Sequence, residues 1–309
     1  MVSGGPGVSV VVPVYESAGT IAALAARIGA ALAGQPHEII LVNDGSRDGS
    51  WAAIGAASRE HPAVRGIDLM RNYGQHNALL AGIRAARFPV IVTLDDDLQN
   101  PPEEIPALLA ALVPGVDVVY GTPREARHSL GRNLASSVTR LVLQGAMGAE
   151  TARSISAFRA FRTPLRDAFA GYANPGVSID VLLTWGTTRF ASVPVRQDAR
   201  AEGRSTYTPR KLVSHALVMV TGFSVLPLRI ATALGFLFTL LGLAVLVYVV
   251  GSYLLRGSSV AGFPFLACII AIFSGVQLFA LGTIGEYLAR IYTRSLGRPA
   301  YVVRECSDA

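Results

Sequence analysis

The chain has 309 residues, a formal net charge of +6, 51% hydrophobic residues and 16% charged ones. Soluble globular chains carry about 25% charged residues, so a uniformly soluble protein is excluded, and Cys268 and Cys306 fit neither a disulfide framework nor a zinc site. No basic run interleaved with aromatics appears, so no nucleic-acid partner is expected, and the positive charge suits an anionic leaflet and phosphate-bearing ligands.

The opening "MVSGGPG" is polar and leads straight into a strand pattern, so no signal peptide is expected. "VSVVVPVY" (8–15) reads as a strand and "TIAALAARIGAALA" (20–33) as a helix. "HEIILVNDGS" (37–46) is a strand ending in turn residues, and "SWAAIGAASREH" (50–61) is a helix. A strand at 64–70 and a helix at 74–86 repeat the alternation. "VIVTLDDD" (90–97) predicts a fourth strand, and "PPEEIPALLAAL" (101–112) starts as a helix should, with prolines and acids in its first turn. A fifth strand follows at 116–123. Strands separated by helices of this length predict βαβ units and a mostly parallel, Rossmann-like α/β sheet. Ligands of such sheets bind at the carboxyl ends of the strands.

The pattern changes at Ile230. Residues 230–255 and 260–285 hold no formal charge, and each run exceeds the roughly 20 apolar residues that span a bilayer. Two transmembrane helices in a hairpin are expected. Arg210, Lys211 and Arg229 precede them, Arg290, Arg294, Arg298 and Arg304 follow, and the connection holds only Arg256. The positive-inside rule then puts both termini and the preceding domain in the cytoplasm, at the inner membrane. The expected organisation is a cytoplasmic domain over 1–208, an amphipathic interfacial segment over 209–229, the two spans, and a tail over 286–309.

Polar residues collect at the ends of the first four strands: Pro13, Val14, Tyr15 and Glu16; Asn43, Asp44, Gly45 and Ser46; Asp68 and Arg71; Asp95, Asp96 and Asp97. One such turn is ordinary, but four on one edge suggest a nucleotide pocket. Neither G-x-x-x-x-G-K-[ST] nor G-x-G-x-x-G is present to cradle phosphates with backbone. Another counter-charge is needed. On an extended segment, Asp95 and Asp97 point to one side and can hold Mg2+ or Mn2+ against a diphosphate. Gln99, one more step of two along, is placed to join them.

These segments resemble the GT-A glycosyltransferases of family 2, and within them the polyprenyl-phosphate glycosyltransferases. "VVVPVYES", "VNDGSRDGS", "RNYGQHNALLAG", "DDDLQNPPE" and "YGTPRE" are similar to that family's successive motifs over about residues 8–230. "EGRSTYTPRKL" and "GFSVLPLR", with the hairpin, look most like the bactoprenol glucosyltransferases and the undecaprenyl-phosphate formamido-arabinose transferases; dolichol-phosphate mannose synthases are also similar. The resemblance implies transfer of one sugar from a nucleotide sugar, with uracil as its base, to the phosphate of a membrane polyprenol. It implies that Pro13, Val14, Tyr15, Glu16, Asp44, Asp68, Arg71, Gly74, Asp96 and Asp97 bind the donor, and that Asp95, Asp97 and Gln99 hold the metal. Arg124, Arg127 and Arg132, with Ser136 and Tyr207, would take the acceptor phosphate, and Arg200, Arg204 and Ser205 would close over the site as further catalytic residues. The subgroup also implies a homo-oligomer, a tetramer.

One departure stands out. Many relatives have an acid just before the "FR" of "SISAFRAFR", where this chain has Ser154, Ser156 and Ala157. A phosphate monoester, with a second pKa near about 6, is already ionised at neutral pH and needs no base. An inverting, metal-assisted displacement is therefore expected. Two alternatives were open to the sequence. A processive polysaccharide synthase would need a Q-x-x-R-W segment and more spans, and neither is present. A non-catalytic membrane subunit would tolerate loss of the metal acids, yet Asp95 and Asp97 are intact.

Overall fold

Seven consecutive buried residues, Val8–Val14, form β1. Val8, Val10, Val12 and Val14 enter the core on one face of the sheet and Val11 enters the core on the other. A strand covered on both faces is what an uninterrupted apolar run produces in a parallel sheet. The computed structural model describes residues 6–124, 155–173, 178–198, 226–256 and 262–307. The chain divides into two compact units, Met1–Leu212 with Gly297–Ala309, and Val213–Leu296.

In the first unit, β1 is followed by α1 (Ile21–Ala31), β2 (His37–Asn43), α2 (Ser50–Glu60), β3 (Val64–Leu69), α3 (Gln75–Ala85), β4 (Val90–Thr93) and α4 (Ile105–Ala111). Then come β5 (Val118–Pro123), β6 (Arg159–Arg162), α5 (Ile179–Gly186), β7 (Phe190–Val195) and, near the C-terminus, β8 (Val303–Ser307). The strands make one eight-stranded sheet in the order β7-β5-β6-β4-β1-β2-β3-β8. β4, β1, β2 and β3 are mutually parallel, so their carboxyl ends share one edge. β4 pairs with β1 only over Val8–Val11, so Pro13, which has no N–H to donate, lies past the end of that ladder.

The sheet is mixed rather than a simple parallel run. β6 inserts antiparallel between β4 and β5, and β8 joins antiparallel to β3. The core is double. Ile21, Leu24 and Ile28 of α1 pack with Ile54 and Ile105 on one face, and Leu79 and Ile83 of α3 pack with Ile179 and Leu182 on the other. Each such side chain contributes about 1.5–3 kcal/mol on burial.

The second unit contains α6 (Leu226–Arg256) and α7 (Gly262–Ser295). Both contain stretches long and apolar enough to cross a membrane, Leu228–Ser252 and Ile272–Ser295. Large apolar side chains such as Leu237, Leu243, Val247, Leu254, Phe279 and Leu288 face outward, a distribution that lipid tolerates and water does not. The two helices touch: Phe238 and Phe273 meet edge to face at 6.2 Å, and a Cβ on Gly242 would lie 2.7 Å from the Phe273 ring. α7 continues past the expected boundary at 285, because nothing in the sequence stops a helix until Gly297, which takes φ +61. The segment expected as a tail from 286 is therefore first helix and then, from Val303, a sheet strand. Most of the expected amphipathic segment, 209–225, lies outside the described residues.

Gly82 sets how closely α3 approaches the sheet. A Cβ there would lie 2.3 Å from Val11 Cγ1 and 3.0 Å from Val42 Cγ2, both deep in the core. Gly82→Ala should cost about 1–3 kcal/mol through overpacking, despite the better helix propensity of alanine. The expected readout is a lower thermal midpoint; an unchanged or raised midpoint would contradict the packing.

Candidate active site

The loop after β1 is tied down by the loop after β2. The N–H groups of Glu16, Ser17 and Ala18 donate to Ser46 Oγ (3.0 Å), Ser50 Oγ (3.0 Å) and Asp48 Oδ2 (3.2 Å). Asp48 Oδ1 in turn accepts from the Ser50 hydroxyl at 2.6 Å. Serines and aspartates in this turn thus act as acceptors for backbone that β1 leaves without a ladder. The reward is a fixed place for Tyr15, which is 46% exposed, and for Glu16, held at φ +53.

Asp44 is buried at the end of β2. Its carboxylate accepts the N–H groups of Tyr73 (2.7 Å) and Gly74 (2.8 Å), which precede α3. Next to it, Gly45 takes φ +66, and a Cβ there would lie 2.4 Å from the Arg71 carbonyl carbon. Only glycine allows the two loops to interlock. Arg71 then lies over the Tyr73 ring at 4.3 Å, a cation–π contact in the exposed part of the loop. Asp68 is also buried, with both oxygens engaged: Asn43 Nδ2 donates to one at 2.6 Å, and Arg304 Nη1 lies 3.2 Å from the other.

The three aspartates do not continue β4, as the sequence pattern had suggested. The strand ends at Thr93, and the alternation that would carry Gln99 to the side of Asp95 and Asp97 ends with it. Leu98 takes φ +57, Asp97 Oδ1 accepts the Gln99 N–H at 3.1 Å, and the Leu98 side chain packs on the core. An Asx turn has replaced the extended segment. Within it the acids separate. Asp96 Oδ2 turns to β1 and accepts the Tyr15 N–H at 3.1 Å, while Asp95 Oδ1 accepts from Gln75 Nε2 at 2.5 Å. Among the described residues there is no group of three or more His, Cys, Asp or Glu fit to hold a metal. Mg2+ commonly uses one or two carboxylates together with substrate phosphates and water, and Asp95 with Asp97 fits that donor set.

The sequence profile described as "Glycosyl transferase family 2" matches residues 9–164. The undecaprenyl-phosphate 4-deoxy-4-formamido-L-arabinose transferase of Aeromonas hydrophila is 36% identical over 303 residues, covering 96% of this chain and 93% of that one. The chain belongs to glycosyl transferase family 2. The transferases of the same description from Yersinia enterocolitica (36% over 309 residues, 98% and 94% covered) and Pseudomonas aeruginosa (35% over 301 residues, 96% and 89% covered) are similarly related. Among solved structures, glucosyl-3-phosphoglycerate synthase from Mycobacterium tuberculosis with Mn2+, UDP and glucosyl-3-phosphoglycerate matches with a TM-score of 0.53 at 20% identity, over 70% of this chain and 78% of that one. Mannosyl-3-phosphoglycerate synthase from Rubrobacter xylanophilus matches with a TM-score of 0.53 at 21% identity, over 70% and 72%. The fold is GT-A, and the chain is a glycosyltransferase rather than a non-catalytic subunit.

In this family 2 enzyme a buried cation lies beneath the aspartate turn. Arg159, 1% exposed, donates from Nε to Thr93 Oγ1 at 3.0 Å and pairs through Nη1 with Asp180 of α5, which also accepts from Tyr120 OH at 3.0 Å. Burial works against the Arg159 charge, but Asp180, Tyr120 and Asp95 together raise its pKa; burial lifts the Tyr120 hydroxyl well above its ordinary value. Thr93 Oγ1 donates at 2.7 Å to the carbonyl of Ala157, in the segment "SISAFRAFR". Neither Arg159 nor Gln75 was singled out from sequence. Gln75 had only its place at the start of α3 to mark it, and Arg159 stands in a short mixed segment, "SISAFRAFR", without clear periodicity.

Arg124 is described and exposed, 3.6 Å from Glu104 Oε2. Arg127, Arg132, Ser136, Arg200, Arg204, Ser205 and Tyr207 lie outside the described residues.

Burial pushes the Asp44 carboxyl above its ordinary 3.8, against the pull of the Tyr73 and Gly74 N–H groups and Arg71; Asp96 is raised likewise, burial outweighing the Ser17 and Tyr15 donors. A raised carboxyl pKa means that the ionised form opposes folding at neutral pH, and the opposition fades as pH falls through the folded value. Asp44→Asn loses one of two acceptor oxygens at every pH but removes this charge. Its stability relative to the native chain should therefore be better at pH 7 than at pH 4, read by thermal unfolding at both. A relative stability that improves toward pH 4 would reverse the sign.

Proposed function

We propose that this family 2 glycosyltransferase moves a single sugar from a uridine-linked nucleotide sugar to the phosphate of a membrane polyprenol of the undecaprenyl class. The supporting observation is the joining, in one chain, of a hydrogen-bonded donor cluster at four parallel strand ends with two helices apolar enough to span a bilayer. The 35–36% identical relatives, named for transfer to undecaprenyl phosphate, extend over both parts. A polyprenyl acceptor does not leave the bilayer, so the enzyme has to remain with it. The arginines flanking the helices favour the cytoplasmic side for the catalytic unit and both termini.

In this reading Tyr15, Asp44 and Arg71 hold the nucleoside, with Asp96 fixing the Tyr15 loop. Asp95 and Asp97 would hold Mg2+ or Mn2+ against the diphosphate, and the bound cation supplies charge neutralisation for the leaving group. A phosphate oxygen of the acceptor attacks the anomeric carbon from the face opposite the diphosphate. The new C–O bond forms as the bond to the diphosphate breaks, and the electron pair leaves with the nucleoside diphosphate, inverting the centre. The dianionic phosphate brings no proton that must be removed, consistent with the absence of a carboxylate over residues 154–157. Arg124, Arg127 and Arg132 suit the acceptor phosphate, since guanidinium groups bind phosphate in bidentate fashion. Catalysis is then mainly positioning and electrostatics.

Membranes containing the protein, supplied with undecaprenyl phosphate, Mg2+ and a panel of labelled nucleotide sugars, should produce a lipid-extractable label. The sugar named in the relatives, 4-deoxy-4-formamido-L-arabinose, is the first donor to test, beside glucose, mannose, galactose and N-acetylhexosamine. Asp97→Ala should lower the transfer rate by at least about 100-fold. No label from any donor would defeat the reading, and full activity in Asp97→Ala would remove the metal assignment.

A further inference from the structure

We propose that β8 positions the donor half of the site, and that Arg304 is the positioning residue through which it acts. The proposal rests on the nucleotide reading of the strand ends and adds an element from the far side of the apolar helices in sequence. The pairing of β3 with β8 contains an irregularity: Asp68 faces Glu305, but Leu69 faces Val303, leaving Arg304 as an extra residue. Bulges of this kind re-aim side chains and gather near active sites. Here the bulge turns the Arg304 guanidinium to the carboxyl end of β3. Nη1 lies 3.2 Å from Asp68 Oδ2, and Nη2 donates to the Met70 carbonyl at 2.9 Å. The Met70 N–H donates to the Val302 carbonyl at 2.9 Å. Both polar backbone atoms of the residue before Arg71 are thus held by Arg304 of β8 and by Val302 just ahead of it.

The contact reaches further through Asp68. Its other oxygen accepts from Asn43, whose Oδ1 accepts the Ser46 N–H at 3.3 Å, and Ser46 Oγ accepts the Glu16 N–H. One guanidinium therefore touches the Arg71 loop directly, the β2 loop through Asp68 and Asn43, and the β1 loop through Ser46 beyond them. Asp68, with a side chain only 2% exposed, depends on such a partner, because a buried carboxylate needs an opposing charge. Covering the edge of β3 would not require any of this. That simpler task falls to other residues: Trp51 Nε1 donates to Glu305 at 2.7 Å, the Gly66 N–H donates to Ser307 Oγ at 2.8 Å, and Ala300 is buried in the core. These anchors should keep β8 in place when the Arg304 side chain is removed.

The test compares Arg304→Ala, Arg304→Lys and Glu305→Ala in the full chain. Calorimetry with UDP, GDP, CDP and ADP in the presence of Mg2+ gives nucleotide affinity, and transfer kinetics give KM for each substrate. Arg304→Ala should weaken binding of the preferred nucleotide by about tenfold, the scale of a lost charge-assisted hydrogen bond. It should raise the donor KM and leave the polyprenyl phosphate KM unchanged. Arg304→Lys should recover part of the affinity, since an ammonium reaches one of the two acceptors, and Glu305→Ala should bind nucleotide as the native chain does. Native affinity in Arg304→Ala overturns the proposal. So does a matched rise of both KM values in Arg304→Ala and Glu305→Ala that tracks lost thermal stability, for β8 would then matter only to folding. Failure of the native chain to bind any of the nucleotides overturns the underlying reading as well.

Discussion

A buried carboxylate that accepts two backbone N–H groups from another loop is the contact on which the strand-end cluster depends. The parallel register puts Val14 beside Asn43, and Asn43 beside Asp68. Whatever follows those residues is brought together by geometry alone. Asp44 follows Asn43, and its bonds to Tyr73 and Gly74 join the end of β2 to the start of α3. Burial of the charge is unfavourable, as its raised pKa reports. In return, the loop with Arg71 and Tyr73 is fastened to the end of β2, where Gly45 lets its backbone approach closely.

The rest of the site follows from the same edge. β4 is parallel to β1, so its aspartates emerge beside Tyr15, and Asp96 joins the two loops. β6 then runs antiparallel to β4, which pairs Arg159 with Thr93 and puts a buried guanidinium two residues before the acids. Arg159 is among the charges that Asp95 feels, and Asp180 prevents it from being an uncompensated cation in the core. Breaking such a buried pair by removing one partner typically costs about 3–5 kcal/mol.

Much of this was legible in the sequence, and the failures have specific causes. β1, β2 and β4 contain apolar, largely β-branched runs, and the polar ends of β1 to β4 marked the site edge. The aspartate turn was misread as extended, because apolar alternation up to Leu94 says nothing about a left-handed Leu98 or an Asx turn at Asp97. β6 was hidden because a four-residue strand with arginine at both ends shows no alternation. Arg304 was read as a membrane-flanking charge. Its pairing with Asp68 spans more than two hundred residues, a separation that no local pattern can signal. Asp68 itself was legible as a strand-end acid, but its partners turn it inward, to Asn43 and Arg304.

The central claim is that the turn holding Asp95 and Asp97 binds a divalent cation together with a nucleoside diphosphate. Electron paramagnetic resonance of Mn2+, titrated into the full-length protein with and without UDP, tests it without reference to catalysis. The account predicts that native protein takes up Mn2+ strongly only when UDP is present, and that Asp95→Ala and Asp97→Ala each abolish the bound signal. Nucleotide-dependent Mn2+ binding that survives both substitutions would contradict it.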